Sequence, residues 1–277
     1  MSPAGPPVPG PLVPGPLVPG PPVPGPPVPG LVVGCDWAGA EAPERLLGER
    51  EREHAAGLGG PRRVEWVRAR LTAKAAVRWA TGRGGVQLLP AGAHGAPLVL
   101  GRSGAAAPVT VSLAHTGSVS VCAVAAPGAG PRIGVDLEPA DPRNEVLLPR
   151  LLAAGDEAAL PRQGDLGQWA TVLVVCKEAA LKAYLAPSPR LRDYRLVRRA
   201  PGGLWVRAPE PGLPDLRLWL RRWRGGDGRV RVAALCAPEG AAFGVRRTTP
   251  AAVVRALREG PGPPPVRAPV RARGPAG

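Results

Sequence analysis

The feature that most limits the fold of this chain is a Pro-Gly repeat at its start. Residues 5–30 repeat a pentad of the form PGPLV or PGPPV and contain no charged or aromatic residue. Proline fixes φ and removes a backbone donor, so this repeat is incompatible with a regular helix or sheet. Residues 259–277 are rich in Pro and Arg. We therefore expect a disordered leader over 1–30, a disordered tail over 259–277 and a folded part between them.

The folded part has enough apolar content for a core. Hydrophobic residues make up 44% of the chain, which suits one large domain or two small ones. No apolar run approaches the ~18 uncharged residues that a membrane-spanning helix needs. The cysteines are far apart and form no CxxC pair, namely Cys35, Cys122, Cys176 and Cys236. This spacing is typical of reduced thiols in a cytoplasmic protein rather than of a disulfide framework or a zinc site.

The net charge of +15 raises the question of an acidic partner. The excess of Arg is concentrated in the last third, around LRLWLRRWRGGDGRVRV at 216–232. Such a surface can meet nucleic acid, an acidic protein or a phosphorylated ligand. No helix-turn-helix, zinc-finger or RNP signature is apparent, so nucleic acid is the less favoured partner.

Residues 134–139, GVDLEP, predict a strand with acids on one face. Side chains alternate across a strand, so Asp136 and Glu138 lie on one face while Val135 and Leu137 lie on the other. Two neighbouring carboxylates repel each other. The pattern therefore indicates either a solvated face or a site for a cation.

Residues 61–80 predict a helix that begins near Pro61 and has an apolar face. At 100° per residue, Arg63, Arg70 and Lys74 form a stripe beside Val67. The stripe is compatible with long side chains that reach from the helix edge to solvent. That arrangement is the commoner one and is favoured when the stripe is taken alone, and the alternative is a cationic wall that binds phosphate.

A second helix is predicted over 168–185, and it carries charge inside its apolar face. Glu178 and Lys182 are one turn apart among Val174, Val175 and Leu181. Unpaired charges in such a place are costly and usually have a ligand, a metal or a partner. Glu178 is thus a third carboxylate that can join the two acids of the strand.

Three acids from a strand and a helix form a hard-oxygen site that suits Mg²⁺, namely Asp136, Glu138 and Glu178. The same two helices also carry cations that can bind a phosphorylated ligand and stabilise charge in phosphoryl transfer: Arg70, Lys74, Lys177 and Lys182. The lysines among them are the only lysines of an Arg-rich chain. Their presence indicates that a compact ammonium is needed there.

The ordered set of motifs resembles the 4′-phosphopantetheinyl transferase family, in its larger surfactin-synthetase-activating type. IGVDLEP (133–139) and VVCKEAALK (174–182) match the two signatures of that family. VSLAHTG (111–117) resembles its histidine segment, and HGAP (94–97) resembles its Gly-x-Pro turn. RRVEWVRARLTAKAAVR (62–78) resembles a helix of the actinobacterial members.

The resemblance implies an α/β (α+β) fold with two similar lobes related by a pseudo-twofold axis and coenzyme A in the cleft between them. We assign the N-terminal lobe to 31–128 and the C-terminal lobe to 129–258. The implied protein is a cytoplasmic monomer. Strands and turns are predicted beyond residue 186, with GGDG (225–228) as a hairpin loop.

The resemblance also implies a role for each candidate residue. Asp136, Glu138 and Glu178 would hold Mg²⁺ against the pyrophosphate of coenzyme A. Lys182 would stabilise charge on the transferred phosphate or protonate the leaving 3′,5′-ADP. Glu178, or a metal-bound water, would take the proton of the acceptor serine.

The remaining cations would bind coenzyme A. His115 would contact its phosphates, and Arg70 and Lys74 lie where the family binds the 3′-phosphate. Lys177, beside Glu178, completes the set that we expect to contact coenzyme A.

The implied activity is transfer of the 4′-phosphopantetheine arm of coenzyme A to a serine of an apo acyl or peptidyl carrier protein. Such carriers serve fatty-acid, polyketide or nonribosomal-peptide synthesis. Two alternatives stay open: a non-catalytic basic binding protein with the same fold, and another Mg²⁺-dependent phosphotransfer enzyme that uses the same acids.

Overall fold

A computed structural model describes residues 30–91, 96–125, 133–162, 164–185, 190–200 and 203–259. The leader predicted over 1–30 and the tail predicted over 259–277 lie outside the described residues except at their inner borders. The Gly-x-Pro turn at 94–97 is described only from Ala96 onwards.

The described residues form a mixed α/β structure. Its strands are β1 (Gly30–Asp36), β2 (Gln87–Ala91), β3 (Ala96–Leu100), β4 (Thr110–Thr116), β5 (Val119–Ala125), β6 (Gly134–Pro139), β7 (Arg195–Arg199), β8 (Gly203–Arg207), β9 (Leu216–Arg224), β10 (Val230–Ala237) and β11 (Phe243–Thr248). Its α-helices are α1 (Glu49–Ala56), α2 (Gly60–Thr81), α3 (Leu148–Leu151), α4 (Asp156–Ala159), α5 (Leu166–Tyr184) and α6 (Pro250–Arg258).

The main elements predicted from periodicity are confirmed. α2 and α5 cover the helices expected over 61–80 and 168–185, and β6 is the strand expected at 134–139. β7 to β10 are the strands expected beyond residue 186, and 225–228 joins β9 to β10 as a hairpin.

The first sheet has the strand order β11-β1-β5-β4. β5 is antiparallel to both of its neighbours, whereas β1 and β11 are parallel. The hairpin of β2 and β3 lies beside β4. α2 packs across this sheet, where Val33, Val77 and Val124 share one core.

The second sheet has the strand order β6-β10-β9-β8-β7, and all its pairs are antiparallel. α5 packs against β6 and β10, with Leu173, Val175 and Leu216 in the core between them. Part of the strand order repeats between the two sheets, as β1-β5-β4 in the first and as β6-β10-β9 in the second. In each of these triplets the strand that comes first in the chain pairs with the strand that comes last, and the last also pairs with the strand directly before it in the chain.

The end of the described chain returns to the first sheet. β11 pairs with β1, and α6 packs against α2 with Val253 and Ala256 in the core around Trp37 and Trp66. Residues 243–258, which the sequence assigns to the C-terminal lobe, thus pack on elements that lie within residues 30–128. The burial of the apolar face of α6 accounts for this return.

A fourth apolar cluster joins the two sheets where β4 and β5 meet β6. Val135 and Leu137 lie in it together with Ala114 and Val121. The backbone N–H of Val135 donates to Ser112 Oγ on β4 at 2.9 Å. The apolar face of β6 therefore looks toward the first sheet, as the alternation of GVDLEP predicts, and its acidic face looks toward α5.

Candidate active site

A cleft of about 350 Å³ lies where β4, β6 and α5 meet. Its walls include the predicted site residues His115, Asp136, Glu138, Glu178 and Lys182, together with the apolar side chain of Val174. The structure thus brings together residues from three of the sequence motifs.

Gly134 allows β6 to approach α5 closely enough to form this cleft. A Cβ atom at position 134 would lie 1.8 Å from the carbonyl oxygen of Ala179 and 2.6 Å from the backbone nitrogen of Ala183. Both obstacles are backbone atoms of the helix and cannot rotate away. Because Gly134 faces α5, Asp136 and Glu138 at alternate positions of the strand face it as well.

Lys182 and Asp136 form an ion pair across the cleft. Lys182 Nζ donates to Asp136 Oδ1 at 2.6 Å and to the carbonyl oxygen of Val135 at 3.3 Å. The side chain of Asp136 is only 7% exposed, and that of Lys182 is 30% exposed. Asp136 Oδ2 is buried and has no hydrogen-bond partner. Since a buried carboxylate oxygen normally accepts a hydrogen bond, this atom is available to a ligand.

The other two acids of the cleft have raised pKa values. Burial, with the neighbouring charges of Asp136 and Glu178, raises the pKa of Glu138 from 4.5 to about 7. Burial and Asp136 likewise raise the pKa of Glu178. The ammonium of Lys182 counteracts both shifts. Clustered carboxylates of this kind are stabilised in their charged forms by a cation.

The donor chemistry fits Mg²⁺, although a metal geometry is not formed. Within the described ranges, no group of three or more His, Cys, Asp or Glu side chains is placed to hold a metal ion. Lys182 supplies the positive charge beside Asp136 instead. The three carboxylates nevertheless share one cleft, and the buried Oδ2 of Asp136 is the hard oxygen donor that Mg²⁺ takes.

His115 stands on β4 with its imidazole near α2. Its Nδ1 atom lies 3.6 Å from Glu65 Oε2, beyond hydrogen-bond distance, and has no hydrogen-bond partner. Burial lowers the pKa of His115, and Arg70 and Lys182 lower it further, while Glu65 counteracts them. The imidazole is therefore predominantly neutral at neutral pH.

Arg70 lies behind His115 on α2 and is 7% exposed. Its guanidinium stacks 4.6 Å above the ring of Trp66, and its Nε atom is buried without a hydrogen-bond partner. Burial lowers its pKa to about 10. A buried cation with an unsatisfied donor is suited to an anionic ligand.

Lys74 and Lys177 do not line the cleft. Lys74 Nζ contacts Glu51 Oε2 at 2.6 Å, and Lys177 Nζ contacts Asp156 Oδ2 at 2.6 Å. Lys177 is completely buried and Lys74 is nearly so. Each ammonium is thus held in an ion pair inside the protein.

Sequence reasoning missed Glu51, Glu65 and Asp156. Glu65 belongs to the RRVEW stretch that carries the resemblance, but the pattern assigned it no role. A usable signal for the other two was the rarity of lysine, because a lysine kept at a buried helix position needs a carboxylate partner.

A larger open cleft of about 800 Å³ lies at the far end of the second sheet. Its lining mixes charges of both signs. Asp215 there is paired with Arg199 and with Arg207. Because the acids with raised pKa values and the unpartnered Asp136 oxygen are in the smaller cleft, we take the smaller cleft as the site.

Comparisons with known proteins find a partial likeness to solved structures. Neither a protein-family model nor a curated protein matches the sequence. A solved structure of a holo-(acyl-carrier-protein) synthase from Bacillus anthracis str. Ames, in complex with CoA (3′,5′-ADP), is similar over 39% of this chain and 96% of its own, with 14% identity. The TM-score is 0.28. A likeness at this level carries no argument about fold or activity.

The part of the chain that the structure describes contains no candidate for a membrane-spanning helix. None of these helices is both long and apolar enough to cross a bilayer.

Proposed function

We propose that this protein transfers the 4′-phosphopantetheine arm of coenzyme A to a serine of an apo acyl or peptidyl carrier protein, and that the reaction depends on Mg²⁺. The single observation that carries the proposal is the convergence of three separate motifs on one cleft. The acids of 133–139, the Glu-Lys pair of 174–182 and the histidine of 111–117 all line it.

Asp136, Glu138 and Glu178 would hold the Mg²⁺ ion. Bound there, Mg²⁺ would neutralise the pyrophosphate and orient it for displacement. The unpartnered Oδ2 of Asp136 and the raised pKa values of the two glutamates support this assignment, because each is relieved by a nearby divalent charge.

Glu178 and Lys182 would move the protons. The serine oxygen attacks the phosphorus that bears the pantetheine arm, while the bond from that phosphorus to the ADP oxygen breaks. Glu178 would take the serine proton, and the Lys182 ammonium would give a proton to the leaving 3′,5′-ADP. In-line displacement of this kind needs a base, cations and positioning.

His115 and Arg70 would bind the phosphates of coenzyme A. Arg70 does not itself line the cleft, but it is buried with an unsatisfied donor, and its charge acts on His115 in the cleft wall. Lys74 and Lys177, which the sequence predicts as contacts for coenzyme A, are assigned to a supporting role, since both are paired with buried carboxylates.

We also propose that the two sheets mark two lobes related by a pseudo-twofold axis and divided near residues 128 and 129, with β11 and α6 of the second lobe returning to pack on the first. The repeated orders β1-β5-β4 and β6-β10-β9 support this division. A cytoplasmic monomer is part of the same proposal.

The direct test is to incubate the full chain with coenzyme A, Mg²⁺ and a panel of apo carrier proteins, and to weigh the carriers by mass spectrometry. A gain of one phosphopantetheine arm on the acceptor serine is expected, with release of 3′,5′-ADP. Asp136→Ala should abolish the gain. Asp141→Ala is the matched control, because Asp141 lies just after the same strand but pairs with Arg143 at the surface.

Two other results would contradict the proposal. Binding of coenzyme A without transfer to any carrier favours the non-catalytic protein of the same fold. Transfer of a different phosphoryl group, still dependent on Asp136, favours another phosphotransfer enzyme.

A further inference from the structure

The contact between Glu65 and His115 joins α2, the helix that packs on the first sheet, to the wall of the cleft. Glu65 lies in the first half of α2, and His115 is on β4. The distance from Glu65 Oε2 to His115 Nδ1 is 3.6 Å. The Nδ1 atom is inaccessible to solvent, although 31% of the His115 side chain is exposed. The imidazole therefore turns Nδ1 inward to the carboxylate and leaves other ring atoms open to the cleft.

This arrangement selects one form of a neutral imidazole. A neutral imidazole has one N–H donor and one nitrogen acceptor, and the partner of each nitrogen decides which is which. A carboxylate facing Nδ1 favours the proton on Nδ1. A small rotation of either partly exposed side chain brings the 3.6 Å contact within hydrogen-bond range.

The other charged groups near His115 lower its pKa, whereas Glu65 raises it. Arg70 on α2 and Lys182 on α5 both disfavour a positive imidazole. The acids of β6 and α5 line the same cleft but face Lys182. Among the charged groups that shift the pKa of His115, Glu65 alone favours the protonated imidazole.

We propose that Glu65 is a positioning residue that acts through His115: it holds the proton on Nδ1 and turns Nε2 toward the cleft as a contact for a phosphate of the ligand. The part that concerns coenzyme A rests on the proposed function. A phosphate monoester has a second pKa of about 6, so near neutral pH it can share its proton with Nε2. Glu65 sits behind the imidazole and stabilises the positive charge that this sharing creates.

The first test measures the tautomer in the ligand-free protein. The chain has three histidines, so ¹⁵N NMR of the full-length protein, with His115→Gln to assign the signal, resolves the ring of His115. We expect the Nδ1-protonated form in the wild type and the Nε2-protonated form in Glu65→Ala. Glu65→Gln, which keeps an acceptor but loses the charge, should lie between them. Glu53→Gln, an exposed acid on α1, should match the wild type.

An Nε2-protonated wild type, or a tautomer that Glu65→Ala leaves unchanged, would overturn the proposal. The unfolding midpoint of each variant shows whether it is folded. Because Glu65 is 34% exposed, we expect all of them to fold. This measurement uses no ligand, so it stands or fails independently of the transferase activity.

The second test measures binding and turnover. Removal of a carboxylate that orients a metal-ligating histidine typically weakens the metal site about tenfold or more, and we expect a loss at the low end of that range for a histidine that contacts phosphate. We expect Glu65→Ala to weaken adenosine 3′,5′-bisphosphate binding and to raise the KM for coenzyme A about tenfold, with a smaller fall in kcat. Unchanged affinity for the bisphosphate would overturn the phosphate contact. Absence of transfer by the wild type, with the tautomer as expected, contradicts the proposed function alone.

Discussion

The two long helices, α2 and α5, are each held by one buried ion pair of the same design. On the first, Lys74 contacts Glu51. Glu51 also accepts the backbone N–H groups of Gly48, three residues before it, and of Leu88 on β2. One carboxylate thus joins a short helix, a long helix and a strand.

On the second helix the pattern repeats with a shorter acid. Lys177 contacts Asp156, which accepts the backbone N–H groups of Ala153, three residues before it, and of Leu196 on β7. Both carboxylates are completely buried, and each has three donors. Satisfied in this way, a buried charge is tolerated in the protein interior.

The two helices differ in the residues that lie one and five positions after the lysine of each ion pair. After Lys177 these positions are Glu178 and Lys182, which line the cleft. After Lys74 they are Ala75, which is completely buried, and Trp79, which packs at the edge of two apolar cores. The same support therefore lies beside a carboxylate and an ammonium of the cleft on one helix and beside apolar packing on the other. The proposed chemistry thus belongs to the residues beside the support and not to the support itself.

Breaking either ion pair should have the largest effect. Lys74→Met and Lys177→Met each leave a buried carboxylate without its cation, so each should lower the free energy of unfolding by about 3–5 kcal/mol. Urea denaturation of the two variants measures this. The paired variants Glu51→Gln/Lys74→Met and Asp156→Asn/Lys177→Met should lose less, since no uncompensated charge remains. Single variants with near wild-type stability would show that the pairs are not structural supports.

Glu178→Gln should lower turnover without lowering the stability of the fold. Loss of a general base typically costs about a hundredfold or more in turnover. We expect kcat to fall by at least that factor, while the midpoint of unfolding stays close to that of the wild type. Steady-state kinetics with a responsive carrier protein measures the fall. Glu157→Gln is the matched control, because Glu157 is an exposed acid paired with Arg162. A twofold loss or less would remove Glu178 from the reaction.

A smaller effect should appear in the pH dependence of stability. The pKa of Glu138 is raised to about 7 in the folded protein, so the fold prefers its protonated form. The contribution of Glu138 is most favourable below about pH 4.5 and is lost as the pH rises toward 7. Without metal, stability measured by denaturation should therefore fall less in Glu138→Gln than in the wild type over this range. Mg²⁺ should reduce the difference, and identical pH profiles would contradict a strained acid cluster.

The parts of the fold with a regular period were predictable from sequence. The apolar face of 168–185 and the alternation of GVDLEP identify α5 and β6, and both are found. The spacing of charges inside the apolar face also indicated that Glu178 and Lys182 belong to a site. In the structure, Glu178 and Lys182 line the same cleft as Asp136.

Contacts between distant segments were not predictable in this way. Glu51 and Asp156 lie more than 20 residues from their lysines, in short helices whose sequences do not specify a direction for the side chain. The parallel pairing of β11 with β1 joins the two ends of the described chain, and no local period encodes it. Such contacts arise from packing of the whole fold rather than from the propensity of one segment.

The Mg²⁺ dependence of coenzyme A binding tests most directly whether the acids of this cleft hold a metal ion for coenzyme A. Isothermal titration should compare the wild type with Asp136→Asn, each with Mg²⁺ and with EDTA. We expect the wild type to bind coenzyme A more tightly with Mg²⁺. Asp136→Asn should bind with one weak affinity in both conditions while its unfolding midpoint stays near that of the wild type. An Asp136→Asn protein that keeps the full gain in affinity from Mg²⁺ would contradict the assignment of this cleft.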